Sequence, residues 1–133
     1  MSKRIDRRDA VRALGLAGLS LALLPAGYAA LKAGGSGSQP LTAWLKSMIA
    51  DLQSARRVGQ AYLATTPADA DRDRLLAEVY PRLEPGADRS AAAWRESYTA
   101  QCRLDFAEGR TVRIDGWVLS RTEARLCALA ALT

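Results

Sequence analysis

Residues 111–123 read TVRIDGWVLSRTE, and this stretch predicts a β-hairpin followed directly by a helix. Asp115-Gly116 supplies the positive φ angles that a two-residue type I′ turn requires, so we expect the hairpin over residues 111–119. Ser120 and Glu123 have the spacing of a capping box, which begins a helix that runs to about residue 131. Because an isolated hairpin is only marginally stable in water, this one is expected to dock on helices or on another protein.

The chain ahead of the hairpin is predicted to be helical. An apolar stripe at helical spacing indicates one long helix over residues 40–64. A shorter helix around Leu76 is expected to be terminated by Pro81 and Pro85-Gly86. A second long helix begins at about Asp88 or Ser90 and runs to Glu108, with Phe106 on its buried side. The predicted fold class is therefore mainly α: a small domain of three to four helices with one β-hairpin near the C-terminus, preceded by an export signal helix.

The first part of the chain carries a different kind of pattern. Arg7 and Arg8 stand ahead of a soft apolar run, rich in Gly and Ala, over residues 13–31. An arginine pair in this position resembles the twin-arginine export signal, which addresses folded proteins to the Tat translocase. The resemblance implies a periplasmic location, and it makes residues 1–33 a signal segment rather than part of the fold.

Small residues suggest where this segment ends. Gly27-Tyr28-Ala29 is a candidate cleavage site, which would give a mature chain that starts near Ala30. Residues 34–39 are rich in Gly and Ser and predict a flexible linker. The small helical domain then occupies residues 40–133.

Two alternatives to a cleaved Tat signal stay open. Residues 13–31 lie at the lower length limit of a transmembrane helix, and the basic residues ahead of them fit the cytoplasmic side. The segment can therefore be an uncleaved anchor that keeps the domain at the membrane, or a plain Sec signal. The mature N-terminus separates release from anchoring, because a start near Ala30 means release and an intact Met1 means an anchor.

The net charge of +5 does not point to a nucleic-acid partner. Five basic and two acidic residues precede residue 13, so the remaining 14 basic and 12 acidic residues are nearly balanced. The arginines of the body are also interleaved with acids rather than massed on one segment, which argues against a surface that follows phosphates. We therefore expect no nucleic-acid binding.

The side chains that catalysis uses most are scarce in this chain. It has no histidine and two cysteines, whereas zinc sites need three or four Cys or His ligands and acid–base catalysis most often uses His. We therefore predict no catalytic residue, no cofactor site and no metal site. The alternating Asp69, Asp71 and Asp73 lack the glycine and glutamate of a calcium loop, and they fit the first turn of a helix instead.

The two cysteines, Cys102 and Cys127, allow two interpretations. An oxidising compartment permits a disulfide between them. The alternative is a pair of buried thiols that pack as small apolar groups. A disulfide requires a specific geometry between two helices, which the sequence alone does not provide.

The hairpin carries the candidate contact surface for a partner. Trp117 is flanked by Arg113 and Arg121, and tryptophan and arginine are enriched at the hot spots of protein interfaces. The alternative is that Trp117 fills the core. Both interpretations stay open at this point.

A short chain with a twin-arginine signal, a small helical body and no catalytic residues resembles the small accessory subunits of periplasmic flavin-dependent dehydrogenases, such as gluconate 2-dehydrogenase and sorbitol dehydrogenase. The resemblance rests on residues 1–33 and on size and class. It implies a non-catalytic subunit that escorts a larger, cofactor-loaded oxidoreductase through the Tat translocase. The alternatives are a membrane-anchored structural or interaction module, and a stand-alone periplasmic ligand binder that uses carboxylates such as Asp105, Glu108 or Glu123.

Overall fold

The computed structural model describes residues 28–33 and 39–133. The elements in chain order are α1 (Tyr28–Ala33), α2 (Gln39–Met48), α3 (Leu52–Thr65), a 3-10 turn (Pro67–Asp69), α4 (Arg72–Leu83), α5 (Ala91–Ala107), β1 (Thr111–Ile114), β2 (Trp117–Ser120) and α6 (Arg121–Ala131). The described part is mainly helical and has an antiparallel two-stranded hairpin near the C-terminus, so the predicted fold class is confirmed. The predicted signal residues Arg7 and Arg8 lie outside the described residues.

None of the helices within residues 28–33 and 39–133 has the length and the apolar character needed to cross a bilayer.

The hairpin and the helix after it form as the sequence predicts. Asp115 and Gly116 have φ angles of 49° and 83°, both in the left-handed region that a type I′ turn uses. At the start of α6 the Glu123 amide donates to Ser120 Oγ at 3.0 Å, and the Ser120 amide donates to Glu123 Oε2 at 2.8 Å. The capping box therefore joins the end of β2 directly to α6.

The single long helix predicted over residues 40–64 is wrong, because the chain forms two helices there, α2 and α3. Asp51 has an extended backbone and caps the second helix. Its carboxylate accepts hydrogen bonds from the Ser54 amide at 3.2 Å and from Ser54 Oγ at 2.9 Å. The cap satisfies free amides in the first turn of α3, which offsets the free-energy cost of starting a new helix. Both helices still bury their apolar sides.

The predicted boundaries of two other helices differ in how well they agree with the structure. Of the two breaks predicted for the helix around Leu76, Pro81 does not end it but lies inside the last turn of α4. The helix ends at Leu83, just before Pro85-Gly86. The long helix predicted over residues 88–108 is confirmed as α5, with Ser90 as its N-cap.

The most extensive contact between helices joins α3 to α6. A Cβ atom added at Gly59 of α3 would lie 2.0 Å from the carbonyl oxygen of Cys127 in α6, so only glycine allows this approach. Arg56 adds a polar contact, since its Nε donates to the carbonyl oxygen of Ala130 at 3.2 Å. A cation near the last carbonyls of a helix is favourable, so this contact also stabilises the end of α6.

An aromatic cluster fills the space between the remaining helices. Trp44, Tyr80 and Trp94 contact one another with ring centroids 5.2–5.6 Å apart, and the two tryptophans meet edge to face. Tyr28 of α1 joins the cluster through Tyr80, at a centroid distance of 5.5 Å. Such offset and edge-on contacts are the preferred aromatic geometries, so the cluster fixes how α1, α2, α4 and α5 pack.

Candidate functional site

The hairpin presents two faces of different character. Ile114 pairs with Trp117 in the strand register, and Leu119 lies two residues beyond Trp117, so these three side chains share one face. Ile114 and Leu119 are buried in the core. Arg113 and Val118 pair on the opposite face, and both are exposed. The outer face of the hairpin, defined by Arg113 and Val118, is therefore its solvent-exposed face.

The structure does not bring the three predicted contact residues onto one face. Arg113 lies on the outer face and is exposed, whereas Trp117 lies on the inner face and is half-buried. Arg121 is exposed in the first turn of α6. Trp117 is thus neither fully exposed, as a partner contact would be, nor fully buried, as a core side chain would be. Its part in partner contact stays a prediction.

Three large apolar side chains are exposed in the described part of the chain. Leu104 and Phe106, near the end of α5, are 45% and 49% exposed, and Val118 of β2 is 44% exposed. β2 packs against α5. The buried position predicted for Phe106 is wrong. Asp105 faces inward, and the next residue of a helix points about 100° away from it.

The inward-facing Asp105 holds α5 to the start of α6. This carboxylate is 1% exposed, and its Oδ2 accepts from the amide and from Oγ1 of Thr122 at 2.8 and 2.6 Å. Its Oδ1 accepts from Arg110 Nε at 3.0 Å and from Gln101 Nε2 at 3.2 Å. Burial alone would raise the pKa of Asp105, but the hydrogen bonds from Thr122 and Arg110 outweigh it and lower the pKa.

Glu123 and Glu108, the other carboxylates considered for a ligand binder, are engaged as well. Burial raises the pKa of Glu123, and the hydrogen bonds from Ser120 offset only part of that effect. Glu108 forms an ion pair with Arg110, the residue that also contacts Asp105. These carboxylates therefore hold the hairpin and the neighbouring helices together.

A second buried ion cluster was not predicted from the sequence. Tyr62 donates its hydroxyl proton to Asp69 Oδ2 at 2.5 Å, and Arg125 Nε donates to the same oxygen at 3.3 Å. Arg125 Nη2 also lies 3.1 Å from Glu78 Oε2. Burial and the neighbouring Asp69 raise the pKa of Tyr62, which keeps the hydroxyl protonated as a donor. The partners are separated by up to 56 positions, so no local motif marks them.

The three alternating aspartates have separate structural tasks. Asp69 belongs to the buried ion cluster, Asp71 caps α4 by accepting from the Arg74 amide at 3.1 Å, and Asp73 pairs with Arg72. Across residues 28–33 and 39–133, no three His, Cys, Asp or Glu side chains are grouped so that they could hold a metal ion.

Both cysteines are buried thiols. Cys102 and Cys127 are 8% and 3% exposed, and the structure has no bond between them. Burial raises the pKa of each thiol to about 12, so neither provides a thiolate near neutral pH. Because the thiolate is the reactive form, these side chains pack as apolar groups in this state. A disulfide formed after export stays a prediction.

Comparison with known proteins identifies no relative of this chain. No family model, no curated protein and no solved structure matches it. The resemblance to small dehydrogenase subunits therefore stays a prediction.

Proposed function

We propose that this chain is an exported, non-catalytic accessory subunit that binds a larger periplasmic oxidoreductase and crosses the membrane with it through the Tat pathway. One observation carries the proposal: the Arg7-Arg8 pair ahead of the soft apolar run over residues 13–31. Such a signal suits a protein that is folded before transport, and a body held by a capping box and buried ion clusters fits that requirement.

The use of the buried polar groups supports a non-catalytic role. Each buried Ser, Thr, Asp and Glu side chain in the described part of the chain hydrogen-bonds within the body; these residues are Ser47, Ser54, Asp69, Asp105, Ser120, Thr122 and Glu123. Catalytic groups are usually held in a cleft with a side chain directed at the substrate. Here the same groups cap helices and join elements to one another.

The proposed partner contact is the outer face of the hairpin together with the exposed end of α5. Val118 and Phe106 supply exposed apolar area, Arg113 is an exposed cation paired with Val118, and Arg121 is an exposed cation at the start of α6. Arginine next to exposed apolar side chains is a common composition for interfaces between proteins. A large oxidoreductase subunit that lacks its own signal, including the flavin-dependent class, is the partner we propose for this surface.

Export is tested by replacing the arginine pair. The Arg7→Lys/Arg8→Lys variant keeps the charge but removes the two guanidinium groups, so we expect the protein to accumulate in the cytoplasm while the unmodified chain reaches the periplasm. Arg4→Lys is the matched control, because it changes a nearby arginine outside the pair and should not affect transport. Cell fractionation with immunoblotting measures the distribution. Unchanged export of the double variant would overturn the Tat assignment.

The escort role is tested by co-expression with a catalytic subunit that lacks a signal. We expect periplasmic flavin, measured by its fluorescence, to depend on the presence of this chain. Val118→Asp should reduce co-purification of the two subunits at least about tenfold, because it buries an unpaired charge in the contact. Ala92→Asp, at an exposed position in the first turn of α5, is the control and should bind normally. Equal binding by both variants would exclude the hairpin as the contact.

A further inference from the structure

The helix α1 (Tyr28–Ala33) belongs to the packed body, although the sequence places it at the end of the export segment. Leu31 is 0% exposed and lies in the same hydrophobic core as residues of α2 and α4. Lys32, the next residue, is exposed. The short helix therefore has a buried side and a solvent side, as expected for an integral element of a domain.

Two further contacts fix α1 in place. The backbone carbonyl of Leu31 accepts a hydrogen bond from Arg72 Nη2 of α4 at 3.0 Å, and Arg72 is itself largely buried. The ring of Tyr28 packs against Tyr80, which in turn contacts Trp44 and Trp94. An apolar side chain, a backbone carbonyl and an aromatic ring thus hold α1 against the body at three separate points.

These contacts conflict with cleavage at Gly27-Tyr28-Ala29. A processing protease needs an exposed segment that it can hold in an extended form, whereas Tyr28 and Ala29 are helical and the Tyr28 ring lies on Tyr80. Cleavage after Ala29 would also remove Tyr28 and expose one side of the aromatic cluster. In the Tat pathway the body folds before transport, so α1 would already be docked when the chain reaches the protease.

We propose that the mature protein retains Tyr28 and Leu31, with α1 as a permanent part of the core, so that the export segment is not removed at Gly27-Tyr28-Ala29. This inference rests on the proposed function, because it concerns what happens to the signal after export.

The first test is the N-terminus of the exported protein, determined by intact mass and N-terminal sequencing after fractionation. We expect a mature chain that still contains Tyr28. A mature chain that begins at Ala30 would overturn the inference. Leu31→Asp should release α1 and create a processed form that begins at Ala30, whereas Lys32→Asp places the same carboxylate on the exposed side and should leave processing unchanged.

The second test does not depend on export. In the full-length chain, Leu31→Ala should lower the Tm by at least about 4 °C because it empties a core position, whereas Lys32→Ala should not lower it. Equal Tm values for the two variants would overturn the inference. A failure of export combined with the expected Tm difference would instead overturn the proposed function and leave the packing of α1 supported.

Discussion

At the scale of single residues, the close approach of α3 to α6 depends on Gly59. The α3–α6 contact leaves no space for a Cβ atom, since the atoms in the way belong to the backbone of Cys127 and Ala128. Backbone atoms cannot move aside as a flexible side chain can, so any substitution must push the two helices apart. This one position therefore controls the largest helix contact of the fold.

We predict that Gly59→Ala destabilises the protein by at least about 2 kcal/mol, in spite of the higher helix propensity of alanine. Urea unfolding followed by circular dichroism measures the change. Gln60→Ala, on the exposed neighbour, is the control and should be neutral or slightly stabilising. A Gly59→Ala variant as stable as the control would mean that the helices are farther apart than described.

The ionised carboxylate of Asp105 accepts the hydrogen bonds that join α5 to the start of α6. Its pKa is lowered in the folded state, so the unfolded state takes up a proton first as the pH falls. Stability from this group is therefore present above the ordinary aspartate pKa and is lost as the pH falls through the lowered value. Glu123 has a raised pKa and acts in the opposite direction. The pH dependence of stability in the unmodified protein therefore mixes the two effects, and a variant of Asp105 is needed to separate them.

We predict that Asp105→Asn lowers stability by about 2 kcal/mol at pH 7, because hydrogen bonds from Thr122 and Arg110 to a charged acceptor are weakened. Below about pH 4 the difference from the unmodified protein should shrink. Thermal unfolding across a pH series measures both effects. Asp73→Asn, at an exposed carboxylate, serves as the control. A stability difference that does not vary with pH would contradict this role for the ionised carboxylate.

At the scale of elements, the break between α2 and α3 depends on one capping side chain. Asp51 accepts two hydrogen bonds from Ser54, and without them the first turn of α3 has unsatisfied amides. We predict that Asp51→Ala destabilises the protein by about 1 kcal/mol, measured by urea unfolding. Gln53→Ala, an exposed position in the same turn, should change stability little. Unchanged stability in Asp51→Ala would indicate that core packing alone sets the break.

The elements with local signals could be predicted from the sequence. The Asp115-Gly116 turn and the Ser120–Glu123 capping box act over two to four residues, and both appear as expected. The break at Asp51 was missed because the apolar spacing continues across it, and two packed helices satisfy the same pattern as one. Periodicity reports which side of a helix is buried, and it does not report where the helix turns.

In the candidate site, too, local interactions could be predicted from the sequence and distant ones could not. Strand alternation places Arg113 and Val118 on the outer face, so that part of the surface follows from the turn type and register alone. The ion cluster of Asp69, Tyr62 and Arg125 could not be predicted, because its partners meet only when α3 and α6 pack. The exposure of Phe106 depends in the same way on Asp105 having a partner in α6.

At the scale of the whole molecule, the two thiols report global opening. Cys102 and Cys127 lie in the core on α5 and α6, and both have pKa values raised by burial. A reagent that reacts with the thiolate therefore reaches them only when the helices separate.

We predict that, in reduced protein at pH 8, alkylation by iodoacetamide is at least about 100-fold slower for both cysteines than in 8 M urea, and that the two react together. Intact mass over time measures the number of labels. The Gly59→Ala variant should label faster, since it weakens the contact that buries Cys127. Rapid labelling of one cysteine in the native protein would show that α5 or α6 opens alone.

The pairing of α3 with α6 also has a consequence for synthesis. One wall of the core comes from residues 52–65 and the opposite wall from residues 121–131, so the two surfaces can meet only after residue 131 has left the ribosome. Until then the nascent chain exposes apolar surface that chaperones can recognise. The core therefore closes only when α6 has been synthesised, whatever order the earlier helices form in.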